Sequence, residues 1–374
     1  MNMHTSKKNV RLTFSEMTNQ ERLAHLGGFQ ADTAQFLDAK ASVMRLYRGW
    51  QTMPDGHLLV LGGDSGVGKT RVIDDIIQDL EAEWKGIVTD GVNVITEPQG
   101  PLPPTVGVTK EGPSGLVRPV LKVLVEPKAR ARGFLRDTLK ALGVRSGTHD
   151  TFGELMERLQ VHVVGQQVRL LVLDEVHHVV EGHGPTTAYE AVEVIKMLLL
   201  QARVQIVCVG LPVAETIVDR NPELPRHCRG RIKMAPFPAE FGARADYMRF
   251  LKTLAWELPF DIAPNITDAD TALRIHMATG GFIGHITNLL HAASEIAIER
   301  DFEGIPKTLL AEVYGRISGV PASENPLALD IVDDAAVARI RKRWGDRRKV
   351  GDETIRDDKT STKPKKTKPD FSKR

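Results

Sequence analysis

The stretch that decides the fold is Gly63-Asp64-Ser65-Gly66-Val67-Gly68-Lys69-Thr70. It fits the pattern G-x-x-x-x-G-K-[ST] at every fixed position. The preceding residues 57–61 (HLLVL) have the composition of a short buried strand, and residues 71–84 (RVIDDIIQDLEAEW) have the apolar spacing of a helix. A strand, a glycine-rich turn and a helix N-terminus form an anion site, because backbone N–H groups and the helix dipole point at the anion. The stretch therefore predicts a phosphate-binding loop.

The side chains of this loop have expected roles in holding ATP and Mg²⁺. Lys69 is expected to reach the β- and γ-phosphates, and the Thr70 hydroxyl is expected to hold the metal. Gly66 and Gly68 allow the backbone to curl where a Cβ would clash. The predicted nucleotide-binding set is the loop from Gly63 to Thr70 together with Arg71.

A second part of the same site is predicted downstream, in residues 169–175 (RLLVLDE). This apolar strand ends in two carboxylates. Asp174 is expected to hold the metal with Thr70, and Glu175 is expected to polarise the water that attacks the γ-phosphate. The neighbouring His177, His178 and His183 permit a metal-site interpretation, which is less supported because no cysteine or further histidine follows at ligand spacing.

The composition is that of an ordinary globular protein, with two cysteines, Cys208 and Cys228, in 374 residues. So few cysteines argue against a disulfide framework and favour a reducing cytoplasm. The sequence predicts no signal peptide, and no run approaches the roughly 18 apolar residues of a membrane span. We therefore expect a soluble cytoplasmic protein with no membrane partner.

Charge is distributed unevenly within the net value of +2. Residues 339–374 contain 15 Lys and Arg against 6 Asp and Glu, a balance of +9, so the rest of the chain carries −7. From Arg347 onward large apolar residues are almost absent, which predicts disorder. Two interpretations remain open: a solubilising end, or an arm that binds nucleic acid or a partner through charge.

The chain divides into four expected segments. Residues 1–15 are expected to be a flexible arm, and 16–240 an α/β nucleotide-binding domain with a Gly/Pro-rich insertion at 86–115. Within the insertion, a hairpin through 87–95 or a mobile segment is expected, before a strand at 119–126. A short fifth strand is expected at 232–235. Strands alternating with helices predict a parallel sheet with helices on both faces. The alternation stops near residue 240, so a small all-helical lid is expected at 241–320 and a linker with the basic tail at 321–374.

A phosphate loop in an α/β core followed by a helical lid is the plan of the AAA+ ATPases. The chain resembles more specifically the TniB/TnsC family, the AAA+ ATPases that regulate bacterial DNA transposition. The resemblance rests on four stretches, 61–76 (LGGDSGVGKTRVIDDI), 170–184 (LLVLDEVHHVVEGHG), 209–237 and 280–305. It implies a homo-oligomer, either a ring or a helical filament, that assembles with ATP on duplex DNA. Such an oligomer marks the insertion target, works with a target-selection protein and a transposase, and disassembles on ATP hydrolysis.

The resemblance also implies further site residues. An arginine of one protomer reaches the γ-phosphate of its neighbour, and Arg226 in the NPEL-x-R pattern is the best candidate, with Arg229 and Arg231 close behind. His285 stands where the family often has a sensing arginine and joins the nucleotide-binding set. The end of the fourth strand, Gly210-Leu211-Pro212, offers no side-chain donor. These two departures predict slow hydrolysis, as in a switch.

The resemblance also implies DNA contacts in the loop and helix start after the second predicted strand, where Lys128, Arg130 and Arg132 stand. Clustered cations without aromatic partners suit phosphates of a duplex, and a solvated helix start is the alternative. Two other functions remain open: a replication initiator or helicase loader with the same AAA+ plan, or an ATP-driven switch that binds protein and not DNA.

Overall fold

The structure is a computed structural model. It describes residues 14, 16–27, 32–86, 94–95, 107–112, 115–127, 130–180, 185–242 and 244–332, and beyond them positions 338, 339, 342 and 344. Within these ranges no helix combines the length and hydropathy that crossing a bilayer requires.

The centre of the fold is a seven-stranded sheet. Its strands are β1 (Leu58–Gly63), β2 (Val94–Ile95), β3 (Gly107–Gly112), β4 (Gly115–Leu124), β5 (Leu170–Asp174), β6 (Gln205–Gly210) and β7 (Cys228–Met234). Across the sheet they follow the order β2-β3-β4-β5-β6-β1-β7. The strands from β4 to β7 in this order are all parallel, whereas β3 runs antiparallel to β4 and β2 antiparallel to β3. The parallel pairing brings the carboxyl ends of β1, β4, β5 and β6 to one edge.

Helices pack on both sides of the sheet, and further helices follow its last strand in the chain. They are α1 (Asn19–Gly27), α2 (Ala34–Gly49), α3 (Lys69–Gly86), α4 (Ala131–Ala141), α5 (Phe152–Gly165), α6 (His177–Val180), α7 (Pro185–Gln201), α8 (Leu224–His227), α9 (Asp246–Glu257), α10 (Ala269–Thr279), α11 (Ile283–Glu299) and α12 (Lys307–Ser318). Short 3₁₀ helices cover Pro212–Arg220 and Ala322–Glu324.

Both faces of the sheet are covered, because alternate residues of each strand point to opposite sides. In β1, Leu58 and Val60 pack with α4, α5 and α7, while Leu59 and Leu61 pack with α2 and α3. All four side chains are at most 3% exposed. The predicted α/β fold with a parallel sheet and helices on both faces is thereby confirmed.

The helices α9 to α12 form a separate apolar cluster with α1, through Leu26, and with Leu327. A capping box at Thr18 and Glu21 begins α1, with the Glu21 carboxylate 2.8 Å from the Thr18 amide nitrogen. The sequence-based boundary assigned residues 16–27 to the α/β domain, yet Arg22 donates to the Pro259 carbonyl at 2.8 Å and α1 packs on the helical cluster. In the expected arm, Phe14 is 2% exposed, so the chain is already packed at this residue.

Two strands differ from what the sequence indicated. The hairpin or mobile segment expected through 87–95 stays a prediction, because only β2 of this stretch lies within the described residues. The antiparallel hairpin that the structure describes is formed by β3 and β4. Glycines at the hairpin ends give this stretch the composition of a loop, and the ladder of backbone hydrogen bonds overrides that signal. Strand β7 begins at Cys228, four residues before the predicted start at 232, because its alternate side chains are exposed at the sheet edge and give no apolar run.

The expected linker after residue 320 also packs against the helical cluster. We call residues 325–330 the C-terminal strap. Leu327 is 2% exposed, and the amide nitrogen of the Asn325 side chain donates to the Ala311 carbonyl of α12 at 2.7 Å. The predicted disorder from Arg347 onward lies outside the described residues.

Candidate nucleotide-binding site

The predicted phosphate loop connects β1 to α3 at the carboxyl edge of the sheet. Gly66 and Gly68 have φ values of +84° and +98°, a region that side chains with a Cβ seldom adopt, so the loop can curl around an anion. The Lys69 side chain is 8% exposed, and its Nζ donates to the Gly63 carbonyl at 2.8 Å and the Asp64 carbonyl at 2.9 Å. Burial lowers the pKa of Lys69, and the nearby Glu175 and Asp174 carboxylates oppose this shift.

A cavity of about 430 Å³ opens at this loop. From the predicted set it is lined by Ser65, Gly66, Gly68, Lys69, Thr70, Arg71 and Glu175. Asp64 and Val67 do not line it, and the Val67 side chain is buried in the core at 1% exposure. The sequence did not identify the rest of the lining, which consists of Asp32, Phe36, Phe250, Ile283, Gly284, Thr287 and His291. These residues come from before the loop and from the helical part, and no local motif marks them.

The two predicted acids follow β5 at the same edge. Asp174 is 4% exposed, and its Oδ1 accepts a hydrogen bond from the Glu175 amide at 3.0 Å. Its Oδ2 lies 3.5 Å from the Lys122 ammonium, which also contacts the Asp74 carboxylate at 2.7 Å. Glu175 has a left-handed backbone with φ of +56°, and its side chain is 42% exposed. The structure therefore brings Lys69, Asp174 and Glu175 together at one edge of the sheet.

The histidines beyond the acids lie close to Glu175. His177 is 4% exposed, its Nδ1 is 3.1 Å from Glu175 Oε2, and its ring centroid is 4.2 Å from that of His178. One ligand atom from each of Glu175, His177 and His178 falls within 4.8 Å of the others, so the geometry would permit a metal ion there. His183 lies outside the described residues.

The helical part contacts the phosphate loop directly. The Gly284 amide at the start of α11 donates to the Gly66 carbonyl at 2.8 Å. His285 lies beside the loop, with Nε2 3.7 Å from the position a Gly66 Cβ would occupy, but it lines a second, smaller cavity and not the one at Lys69. Its ring contacts those of Phe282 and Trp344, with centroid distances of 5.2 and 5.6 Å. His285 is thus adjacent to the phosphate loop without facing Lys69.

The three candidate trans-acting arginines lie near the edge strand β7. Arg226, at 62% side-chain exposure, has only a 3.5 Å contact with Glu223 and a 3.0 Å hydrogen bond to His227 among the described residues. Arg229 contacts the His57 ring at 2.8 Å, and Arg231 forms a bidentate pair with Asp219. Arg226 is therefore highly exposed and pairs with a carboxylate only at 3.5 Å, whereas Arg229 contacts a histidine and Arg231 is closely paired with Asp219.

The predicted DNA-binding cations are at the start of α4, where the chain leaves β4. Arg130 is the N-cap residue of α4 and is exposed, as is Arg132. Lys128 lies outside the described residues. Both described cations are at the carboxyl side of β4, the same edge as the phosphate loop.

The residues at the loop fit a magnesium nucleotide. The cavity of about 430 Å³ at Gly66, Gly68 and Lys69 provides space for phosphate groups. The Lys69 ammonium is hydrogen-bonded to main-chain carbonyls, which a phosphate can replace. The Thr70 hydroxyl and the Asp174 carboxylate are the oxygen donors that Mg²⁺ prefers.

Comparisons with known proteins agree with this geometry. Residues 54–218 match the family model described as an AAA domain. Cdc6p from Pyrobaculum aerophilum matches with a TM-score of 0.52 at 12% identity, over 80% of this chain and 75% of that chain. The Aeropyrum pernix ORC1 protein in complex with DNA matches with a TM-score of 0.52 at 18% identity, over 87% and 80% of the two chains.

The Drosophila ORC bound to DNA gives a TM-score of 0.52 at 10% identity, over 87% of this chain and 72% of that chain. A search of curated proteins gave no significant match. At these identities the structural likeness concerns the fold. The chain therefore has the P-loop AAA+ fold, and its residues 54–218 are similar to the AAA domain.

Proposed function

We propose that this protein is an ATP-dependent AAA+ regulator of DNA transposition. It oligomerises on duplex target DNA, marks the insertion site and recruits or activates a transposase, and ATP hydrolysis drives its disassembly. The observation that carries the ATPase part is the convergence of Lys69, Thr70 and Glu175 on one cavity, with Asp174 buried beside it. The transposition part rests on the sequence resemblance.

In the proposed reaction, residues of this protein bind the phosphates of ATP and transfer a proton. When ATP binds, the Lys69 ammonium exchanges the Gly63 and Asp64 carbonyls for phosphate oxygens. Because this ammonium is already buried, the exchange requires no further desolvation of its charge. Thr70 and Asp174 would hold Mg²⁺, which would supply neutralising charge to the phosphates. Glu175 accepts the proton of the water that attacks the γ-phosphate.

Arg226 completes the site of a neighbouring protomer in this proposal. Its high exposure and weak pairing leave the guanidinium available to a phosphate on another chain. An arginine delivered in this way is worth a factor of about 10³–10⁵ in hydrolysis in related phosphoryl transfers. Hydrolysis would therefore depend on assembly, which suits a switch that holds ATP while it coats DNA.

The DNA contact proposed is electrostatic. Arg130 and Arg132 are exposed at the carboxyl edge of the sheet, and with Lys128 they supply charge to phosphates without selecting bases. Such contacts predict binding that weakens steeply with salt and depends little on DNA sequence.

A second candidate function is a replication initiator or helicase loader. Its support is the fold similarity to Cdc6p and to ORC proteins, two of which are described as bound to DNA. An initiator is expected to occupy particular sites, whereas the transposition regulator is expected to coat duplex DNA of any sequence.

Electron microscopy of the protein on linear duplex DNA tests the proposal. With a non-hydrolysable ATP analogue we expect filaments or stacked rings along random-sequence DNA, and with ADP we expect bare DNA. Lys69→Ala is expected to abolish the assembly, while Glu175→Gln is expected to keep it after ATP is added. Bare DNA under every condition would contradict the DNA-coating function, and occupancy of isolated sites would favour the initiator.

A further inference from the structure

The end of strand β6 has no room for a side chain, and a histidine from another element occupies that space. A Cβ at Gly210 would lie 3.0 Å from the Ala214 Cβ, 3.2 Å from the His177 main-chain nitrogen and 3.3 Å from His177 Nδ1. This strand end, Gly210-Leu211-Pro212, offers no side-chain donor of its own to the site. The structure puts the imidazole of His177 beside the backbone there.

His177 is held in place by its surroundings but has an unused polar atom. Its main-chain position follows from the Val176 amide, which donates to the Val209 carbonyl of β6 at 2.9 Å. The side chain is 4% exposed, and Nδ1 has no aligned hydrogen-bond partner within the described part of the chain. A buried polar atom without a partner is costly, so such an atom calls for an explanation.

The nearest group that can satisfy this nitrogen is the carboxylate of Glu175. Oε2 lies 3.1 Å from Nδ1, which is within hydrogen-bond distance but off the direction of the ring N–H. The Glu175 carboxylate is 42% exposed and lines the cavity, so its side chain has freedom to rotate towards the ring N–H. Burial, followed by the nearby His178 and Lys69, lowers the pKa of His177 to about 4, and the imidazole is therefore neutral near pH 7.

We infer that His177 is a positioning residue for the proposed general base, with Nδ1–H donating to Oε2 of Glu175. Oε1 is then left to accept the proton of the attacking water. The hydrogen bond fixes a carboxylate that its half-exposed environment leaves free to rotate, and correct placement of a base is a large part of its effect. This inference rests on the proposed ATPase function, because it requires Glu175 to act as the base.

The test uses substitutions at His177 that place an amide nitrogen at different positions. The amide nitrogen of asparagine falls near the position of Nδ1, whereas that of glutamine falls near Nε2. We expect His177→Ala to lower the kcat of DNA-stimulated ATP hydrolysis about 10- to 100-fold, as for the loss of one charge-assisted hydrogen bond. The dissociation constant of a fluorescent ATP analogue is expected to stay within about twofold, which also shows that the variant is folded.

Rescue and coupling make the test specific. We expect His177→Asn to recover most of the lost kcat and His177→Gln to recover little. In a Glu175→Gln background, His177→Ala is expected to cause no further loss, because the two residues act as a unit. His178→Ala is the matched control, and its kcat is expected to stay within about twofold of the parent.

Several results would overturn the inference. If Glu175→Gln loses hydrolysis but His177→Ala does not, the positioning role is wrong while the ATPase function stands. Equal losses in His177→Ala and His178→Ala would replace it with the metal site that the three side chains permit. If Glu175→Gln hydrolyses ATP as fast as the parent, Glu175 is not the base, and the proposed mechanism fails together with the inference.

Discussion

Replacing Arg274 should release the C-terminal strap from the helical cluster. The Arg274 side chain on α10 is 3% exposed, and its Nη1 donates to the Pro326 carbonyl at 2.8 Å and the Leu329 carbonyl at 2.6 Å. Its Nε contacts both oxygens of Asp270, at 2.8 and 2.7 Å. One guanidinium thus joins α10 to two carbonyl groups of the strap. The proposed change is Arg274→Met, which keeps an apolar stem and removes every donor.

The cost can be worked out from these contacts. Each hydrogen bond from a charged donor to a carbonyl contributes about 1.5–3 kcal/mol to the free energy of unfolding. The ion pair adds at most about 1 kcal/mol, because Asp270 is 47% exposed. Part of the loss is recovered when the freed carbonyls return to water. We therefore expect the variant to lose about 3–5 kcal/mol of local stability, with a drop in Tm of about 5–10 °C if the strap unfolds together with the rest.

Limited proteolysis and thermal unfolding measure the two aspects of this prediction. Arg274→Met should expose cleavage sites in residues 325–330 at temperatures where the parent resists. Lys307→Met is the matched control, since Lys307 contacts the same Asp270 carboxylate at 2.7 Å but is 42% exposed and reaches no strap carbonyl through a described hydrogen bond. That control should cost less than about 1 kcal/mol. Equal effects of the two substitutions would refute the reasoning, because the strap carbonyls would then contribute nothing.

Two further predictions concern a buried acid and the contact between α11 and the phosphate loop. Burial, followed by the Glu126 charge, raises the pKa of Asp137 to about 6, so the folded state holds this proton more tightly than the unfolded state and stability falls as pH rises from about 4 to 6. Asp137→Asn should therefore stabilise the protein by about 1–2 kcal/mol at pH 8, after a discount for solvent screening. The gain in stability, measured by thermal unfolding, should vanish towards pH 4. A gain that does not depend on pH would contradict its origin in titration. Gly284→Ala would place a Cβ 3.1 Å from the Gly66 carbonyl oxygen, and we expect ATP-analogue affinity to fall about fivefold while better helix propensity offsets the crowding in Tm. Gly153→Ala, at the same second position of α5 with no atom within 4 Å, should leave that affinity unchanged, and equal affinities for both variants would show that the lid contact does not support the loop.

Strands of the sheet could be predicted where they are buried, because a buried strand appears in the sequence as a run of apolar residues. Strand β5 is buried along its whole length and appears as the apolar run LLVLD, so Asp174 and Glu175 could be placed at its end. Strand β7 carries exposed Arg229, Arg231 and Lys233 at the sheet edge, and its stability comes from pairing with β1. Backbone pairing leaves no compositional trace, which explains why the start of β7 was predicted too late.

The candidate site divides in the same way. The phosphate loop is local, so eight consecutive residues were sufficient to predict it. Phe36 and Phe250 line the cavity from elements 214 positions apart, and only the tertiary fold brings them together. The same applies to His177, whose relation to Gly210 depends on how β5 and β6 end side by side. The strap looked like a linker because carbonyl groups, which every sequence has, hold it to Arg274.

The packing of Trp344 against the lid gives this protein a built-in optical reporter. Its indole Nε1 donates to the Met277 carbonyl at 2.9 Å, and its ring lies over Gly280, where a Cβ would come within 2.7 Å. The Trp344 ring contacts the rings of Phe282 and His285. His285 follows Gly284 in the sequence, and the Gly284 amide donates to the phosphate loop. Nucleotide binding and lid movement should therefore change the intrinsic fluorescence without any label. A Trp344→Phe variant would isolate that signal from the emission of Trp50, Trp84 and Trp256.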